Sequence, residues 1–587
     1  MPIFPSVCEG NPKNSRQTAR MNSKKLILIG LGLFLTNLIS AQYNNLWIPD
    51  TLSGKSFNLV IKDTFSQIVK GQQTITAGIN GKFWGPTLII QKHDTVRMNV
   101  LNKLNDTTTL HWHGMHLPAV MDGGPYQLIP PNTTWRPYWK MKNQAGTYWF
   151  HPHLHEMTMD QITKGIGGLI IVRDSAEAAL KLPRKYGIDD IPLVLSDRSF
   201  TTANQFKSVP YGDSAMTNGV LRAQFSLPAQ MVRFRILNAA IERSFNIGFS
   251  DNRDFYVIGS DGGLLSTPTT LKRFLLSAGE RVEILVNLTG MTAGQTLDFK
   301  AFNSTLANNI PGGENFPNGP FASAIGKKDF NLLHINIINA LSANEIKTVP
   351  TTLVSNIYPK AADAKVTRYL SMNDSTGLTG ILGPNAFIIN HKLFKYGFNN
   401  YTVPLNNTEI WQIKSTSGFA HPFHIHDVEF NILTINGVAP PAEQAGWKDV
   451  ILVKPNTTVR FIAKFDDFAD ANHPFMYHCH ISLHEDEGMM GQFLVTDNQS
   501  EIQKTPTGTV SIFPNPANDR LYLSANFNWN EVYYVKITKP NGATVMMLPQ
   551  PEEGKAIDIT NLKTGLYFLS VIQKGFSQPI VVKFVKE

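Results

Sequence analysis

Sixteen histidines lie in 587 residues, a number that would give about 0.4 His-x-His pairs by chance. The sequence holds five: His111-Trp-His113, His151-Pro-His153, His153-Leu-His155, His424-Ile-His426 and His478-Cys-His480. Residues i and i+2 of a β-strand point to one face, roughly 6.6 Å apart along the chain. A pair so placed can give one imidazole to each of two neighbouring metal ions. One such pair alone is more often ordinary core or surface histidine. Four pairs gathered in two tight stretches reverse that reading. They supply eight imidazoles, enough for three metals with positions left open for a diatomic ligand. Two pairs come from the first part of the chain and two from the last, so a site using all of them lies between those parts.

Cys479 sits between His478 and His480 and therefore faces the other side of the same strand. There it can join His484, the more distant His421 and the thioether of Met489. Two imidazoles, a thiolate and a weak axial methionine form the ligand set of a blue-copper electron-transfer centre. Sulfur donors favour Cu(I) and imidazoles suit Cu(II), so such a site can cycle between the two. One peptide unit on either side of Cys479 reaches a histidine of the other cluster, which gives an electron a covalent path. Structural zinc sites generally use two or more cysteines. Here the only other cysteine is Cys8, at the N-terminal end.

The stretches His111-Trp-His113-Gly114, Trp149-Phe-His151-Pro-His153, His421-Pro-Phe-His424-Ile-His426 and the run from His478 to Met489 resemble the four copper-binding motifs of multicopper oxidases. The resemblance covers about residues 45–498, in the order and spacing of the members with three cupredoxin domains. It implies four copper ions. His111 and His424 would hold the type 2 copper, and His113, His151, His153, His426, His478 and His480 the type 3 pair. His421, Cys479, His484 and Met489 would hold the type 1 copper. It also implies that four one-electron oxidations of a small-molecule reductant are coupled to reduction of O2 to two H2O. Asp122, in Met121-Asp-Gly-Gly-Pro125, and Glu485, beside His484, resemble the proton-relay acids of bacterial members. The alternative is that Asp122 is a turn residue and Glu485 an acceptor that fixes His484. His116, His155 and His473 fall outside the pattern and read as supporting or surface histidines.

The elements that must position these residues are short strands. Apolar or alternating runs at residues 87–90, 168–172, 232–237, 282–286 and 493–496 are separated by Gly, Pro, Asn and Asp. Helical periodicity is scarce, with residues 176–182 a short exception. This is the pattern of successive β-sandwiches. We expect an all-β protein of three consecutive cupredoxin-like Greek-key sandwiches, at residues 42–173, 174–345 and 346–498. A linker at 499–510 leads to a small β-sandwich at 511–587. That tail, with Phe513-Pro-Asn-Pro516 and Gly565-Leu-Tyr-Phe568, resembles the sorting domain of the type IX secretion system of Bacteroidetes.

Met21-Asn-Ser-Lys24-Lys25, an apolar run to Ile39 and Ser40-Ala41 read as a secretory signal peptide over 21–41, preceded by an upstream extension at 1–20. The apolar run is too short to span a bilayer comfortably, and no membrane span is expected in the mature protein. A secreted or cell-surface destination through the periplasm follows, with the secretion machinery as partner. The net charge of +8 falls to +4 once the five Lys/Arg and one acid of residues 1–41 are set aside, which suggests no nucleic-acid partner.

The reductant is the least legible part. Cuprous oxidases of the family carry extra Met and Asp near the type 1 site, whereas Ser417-Gly-Phe-Ala420 precedes His421 here. That favours an organic donor, phenolic, aromatic amine or tetrapyrrole, with cuprous oxidation as the alternative. A non-catalytic copper-binding or structural protein of this fold would show eroded ligands, and all twelve are present. A copper nitrite reductase would lack the paired His-x-His cluster.

Overall fold

The computed structural model describes residues 43–341, 346–375, 386–497, 501–505, 508–525, 532–549, 555–574 and 579–587. The leader read at 1–41 and parts of the 499–510 linker lie outside them. Among the described residues the strands form eight sheets, two to each of four blocks. The fold is all-β, as expected.

In the first block one sheet runs Thr51–Ser53, Thr87–Gln91, Gly168–Arg173, Gly146–His151, His111–His113. The other is built on Thr74–Ile79, Ser56–Ser66 and Thr95–Asn102. Alternation along Ser56–Ser66 puts Phe57, Leu59 and Ile61 inward against Leu88, Ile90 and Phe150. The second block packs a seven-stranded sheet against a six-stranded one over the largest core, and Asn44–Asn45 joins that six-stranded sheet by pairing with Ala223–Pro228. In the third block the sheet Tyr401–Pro404, Met490–Thr496, Asp470–Cys479, His421–Ile425, Val450–Val453 carries the last two motifs. The tail strands enclose a core of their own around Val535, Leu569 and Phe584. The short helical reading at 176–182 appears as a helix over Ser175–Ala179, capped by the Asp174 carboxylate.

Two packings hold the blocks to each other. Trp84, Trp149 and Leu169 of the first block share a buried cluster with Val194, Leu237 and Ala239 of the second. Ala119, Met159 and Ile162 are buried in the core of the third block, beside Cys479 and Leu483. No helix among the described residues is long and apolar enough to cross a membrane.

Candidate metal centre

Strand register brings the histidines together. His111–His113 is an edge strand that pairs antiparallel with Gly146–His151, placing His151 opposite His111. His421–Ile425 pairs with Asp470–Cys479, placing His424 opposite His478 and Phe423 opposite Cys479. Gly123 allows the first motif its close turn: at φ 79° a Cβ would lie 1.8 Å from the Leu110 carbonyl oxygen.

Six of the buried imidazoles resolve into two trios. Nδ1 of His113 lies 3.3 Å from Nε2 of His151 and 3.2 Å from Nε2 of His480. Nε2 of His478 lies 3.2 Å from Nε2 of His153 and 3.3 Å from Nε2 of His426. The remaining two, His111 and His424, each have a buried Nε2 with no hydrogen-bond partner among the described residues. Their Nδ1 atoms donate to the carbonyls of Asp122 and Asp449, at 2.9 and 2.8 Å. His151 and His478 likewise donate Nδ1–H to the Pro152 and Cys479 carbonyls. With the outer nitrogens as donors, the inner ones present bare lone pairs to one another. Only cations make such a convergence favourable, so the donor set fits metal. Burial, then the neighbouring imidazoles, holds His151, His153, His424 and His478 well below the usual range, the neutral form that ligation needs.

On the far face of the strand, Cys479 Sγ lies 3.7 Å from His421 Nδ1 and 3.6 Å from His484 Nδ1. Met489 is buried in the same core, and its carbonyl accepts the Cys479 N–H at 3.0 Å. Phe387 packs on both imidazoles, its ring 4.8 Å from His421 and 4.3 Å from His484. Burial pushes the thiol well above its ordinary range, so a thiolate here needs a metal beside it.

The two acids stand against the outer nitrogens of the cluster. Asp122 Oδ2 accepts from His426 Nδ1 at 2.6 Å, and Oδ1 is 3.4 Å from His111 Nδ1. Burial alone would raise its pKa, but His426 and His111 outweigh burial and hold the carboxyl well below the usual range. Glu485 lies 3.1 Å from His153 Nδ1 and 3.4 Å from His478 Nδ1, and accepts from Thr158 Oγ1 at 2.8 Å. Its partners are thus cluster histidines rather than His484, because successive residues of the helix Ser482–Asp486 point about 100° apart. Burial, then Asp486, pushes its carboxyl well above the usual range.

Three supporting residues escape sequence reading. Asp449 accepts from His113 Nε2 at 3.1 Å and is clamped by Arg281 at 2.6 and 2.5 Å. Asp374 accepts the Ser417 hydroxyl, and Ser417 Oγ in turn accepts His421 Nε2–H at 2.9 Å. A carboxylate therefore does stand behind His421, though it arrives from the strand Val366–Asp374 and not from the residues before His421. His155 packs against Phe394, and His473 bonds Asp470 near the surface; neither enters the cluster.

Family models described as multicopper oxidase match residues 61–177, 194–309 and 361–499, and one described as a secretion system C-terminal sorting domain matches 511–587. The multicopper oxidase mco of Staphylococcus haemolyticus is 30% identical over 453 residues, covering 76% of this chain and 89% of that protein. Among solved structures, the laccase-like multicopper oxidase CueO of Ochrobactrum sp., described as active towards lignin model compounds and lignosulfonate, is 32% identical at a TM-score of 0.68. That likeness covers 77% of this chain and all of that one. A laccase from Pediococcus acidilactici is 29% identical at 0.67, covering 78% and 94%. With its histidine clusters and thiol brought together as described, and at that likeness along three blocks, the chain belongs to the multicopper oxidase family: it is a copper-dependent oxidase with a C-terminal sorting domain that marks it for secretion or the cell surface.

Proposed function

We propose that this oxidase takes electrons singly from an organic donor at a type 1 site of His421, Cys479, His484 and Met489. It would deliver four of them to O2 at a cluster held by the other eight histidines. Bound copper would supply the one-electron steps and the affinity for O2. The observation that carries this reading is the His478-Cys479-His480 strand, whose two faces meet two separate donor sets. His111 and His424 suit the type 2 ion, because each offers one free inner nitrogen. The trios of His113, His151, His480 and of His153, His426, His478 suit the type 3 pair.

The residues around the metals would do the proton work. Asp122 fixes the rings of His426 and His111 and, as an anion, can receive a proton arriving from solvent. Glu485, whose carboxyl burial pushes up, lies 3.1 Å from His153 Nδ1 and would carry a proton to the cluster from there. At the entry side, Ser417 and Asp374 hold the outer edge of His421 and offer an acceptor to a donor's O–H or N–H. Such an acceptor suits a phenolic or amine donor, and the Ochrobactrum relative is described as active towards lignin model compounds and lignosulfonate. The leader at 21–41, the block boundaries given above, and export through a type IX system of a Bacteroidetes-like bacterium belong to the same proposal.

The test is oxygen uptake by the copper-loaded secreted protein with a phenol, bilirubin and Cu(I) side by side. Four donor electrons per O2, intense blue colour and fastest turnover with an organic donor are expected. Faster turnover with Cu(I) would transfer the assignment to cuprous oxidation. Absence of blue colour after loading would remove the proposed type 1 site.

A further inference from the structure

A cleft of about 810 Å³ opens between the first and third blocks, where His116 follows the strand His111–His113. Small-molecule sites gather at such junctions and measure about 300–1,000 Å³. One part of the lining is apolar. The half-buried rings of Tyr358 and Trp447 stand there, centroids 4.9 Å apart at 54°. Ile357, which also lines the cleft, is 87% exposed, the most open large apolar side chain among the described residues. Covering it with an apolar body would be favourable.

The other part is polar and incompletely satisfied. Asp467 lines the cleft and is 7% exposed, yet its Oδ1 has no hydrogen-bond partner among the described residues. Lys142 does not serve that atom, because its Nζ is held 3.0 Å from Oδ2 and 4.4 Å from the centre of the Phe468 ring. His116 Nδ1 also faces Oδ2, at 3.7 Å, beyond hydrogen-bond reach. Glu429 accepts from Asn143 Nδ2 at 3.1 Å and from the Tyr148 hydroxyl at 3.2 Å through Oε1. Its Oε2 is left 3.8 Å from His116 Nε2. The second block backs this wall: the Gly262 N–H donates to the Trp447 carbonyl at 2.9 Å, and a Cβ on Gly262 would lie 2.8 Å from Glu429 Cδ. The groups are therefore fixed before anything enters. Buried carboxylate oxygens are rarely left without a donor, so Asp467 Oδ1 calls for one. The carboxylates of Asp363, Glu429, Asp466 and Asp467 line the cleft against Lys142, Lys464 and His116. Even with His116 charged, one negative charge is left over.

We propose that this cleft binds a small organic cation, a primary ammonium ion carrying an aromatic ring. The ammonium would donate to Asp467 Oδ1 and balance the remaining charge. The ring would lie against Tyr358, Trp447 and Ile357, where aromatic contacts and cation–π attraction add to burial. A neutral hydroxyl could donate to Oδ1 but would leave the charge unbalanced, and an anion would meet a bare carboxylate. A lone inorganic ion would leave the aromatic wall unused. The inference rests neither on the copper assignment nor on the choice of electron donor.

Calorimetric titration of the full-length, copper-loaded enzyme with phenethylamine, which has no phenol or aniline to oxidise, tests the proposal. We expect one molecule bound per chain. The neutral isostere 2-phenylethanol should bind at least about tenfold more weakly, the ratio that loss of a charged hydrogen bond implies. Asp467→Asn keeps the shape of the site and should weaken the amine by a similar factor while leaving the alcohol unchanged. Tyr358→Ala should weaken both probes alike. Blue absorption should persist in both variants, and missing blue colour with amine binding intact would count against the copper assignment alone. A crystal soaked with the amine should show its nitrogen beside Asp467 Oδ1. No binding of phenethylamine, equal affinity for the two probes in the parent enzyme, or amine binding unchanged in Asp467→Asn would each overturn the proposal.

Discussion

In the proposed type 1 site Cys479 would serve as metal ligand and as covalent bridge at once, and the only other cysteine of the sequence is Cys8. Replacing it by serine should abolish the intense blue absorption and bring oxygen uptake with an organic donor to background. The cluster histidines, on the opposite face of the strand, should still bind copper, which EPR and metal content would report. Retained blue colour would move the thiolate role elsewhere. The His-x-His pairs were readable because period-two spacing on a strand converts directly into shared faces, and the full set of twelve proposed ligands came from the family resemblance. Asp449, Arg281 and Asp374 were not, since each reaches the site from a strand remote in sequence. His116 read as a supporting residue, and its partners show why one sequence could go no further. Burial lowers its pKa, but Glu429, Asp467 and Asp427 outweigh burial and raise it to about 9, with Lys142 the opposing cation held on Asp467. Because folding raises this pKa, the stabilisation is whole below about pH 6.5 and fades as pH climbs through about 9. At most about 3 kcal/mol is at stake. Denaturant unfolding at pH 6 and pH 9.5 should show that loss, and His116→Gln should flatten the difference.

At the scale of elements, edge strands and a buried ion pair do the positioning. The strand Arg281–Asn287 brings Arg281 to Asp449, both fully buried, and Asp449 in turn fixes the Nε2 side of His113. That leaves Nδ1 of His113 to face His151 and His480, so a residue of the second block sets which nitrogen the first block would offer to metal. Arg281→Ala would strand a buried carboxylate and should cost about 3–5 kcal/mol of stability. Copper content should fall at the same time, because His113 loses its orientation. Arg281→Lys would restore charge without the two-pronged grip, so partial recovery of stability with incomplete copper loading is the expected pattern. Full loading in Arg281→Ala would show that the ion pair serves the fold alone. The strand runs were legible from apolar patches bounded by turn residues, and the observed strands extend those patches by one to three residues. What the patterns could not carry was partnership. Asn44–Asn45 pairs with the second block although the chain next enters the first, since pairing across about 180 residues leaves no local mark.

The whole molecule is a set of sandwiches with separate cores, and function divides among them. The proposed ligands come from the first and third blocks, Arg281 of the second block clamps Asp449, and the tail encloses its own apolar core. The first three blocks share buried residues, whereas the tail's core draws on residues 510–584 alone, so the tail can be removed without opening the others. The tail of residues 511–587 matches a sorting domain, so its contribution is to destination rather than to chemistry. Ending the chain at residue 498 should therefore leave a blue, copper-loaded oxidase with unchanged turnover per copper and a thermal midpoint close to that of the full chain. The same truncation, expressed in a host with the secretion system, should stop the protein in the periplasm. Activity measured in medium, surface and periplasmic fractions separates these outcomes. Undiminished activity in the medium would deny the tail its sorting role. Loss of blue colour on truncation would mean that the tail supports the third block, whose last strand, Met490–Thr496, lies between Asp470–Cys479 and Tyr401–Pro404 and ends just before it.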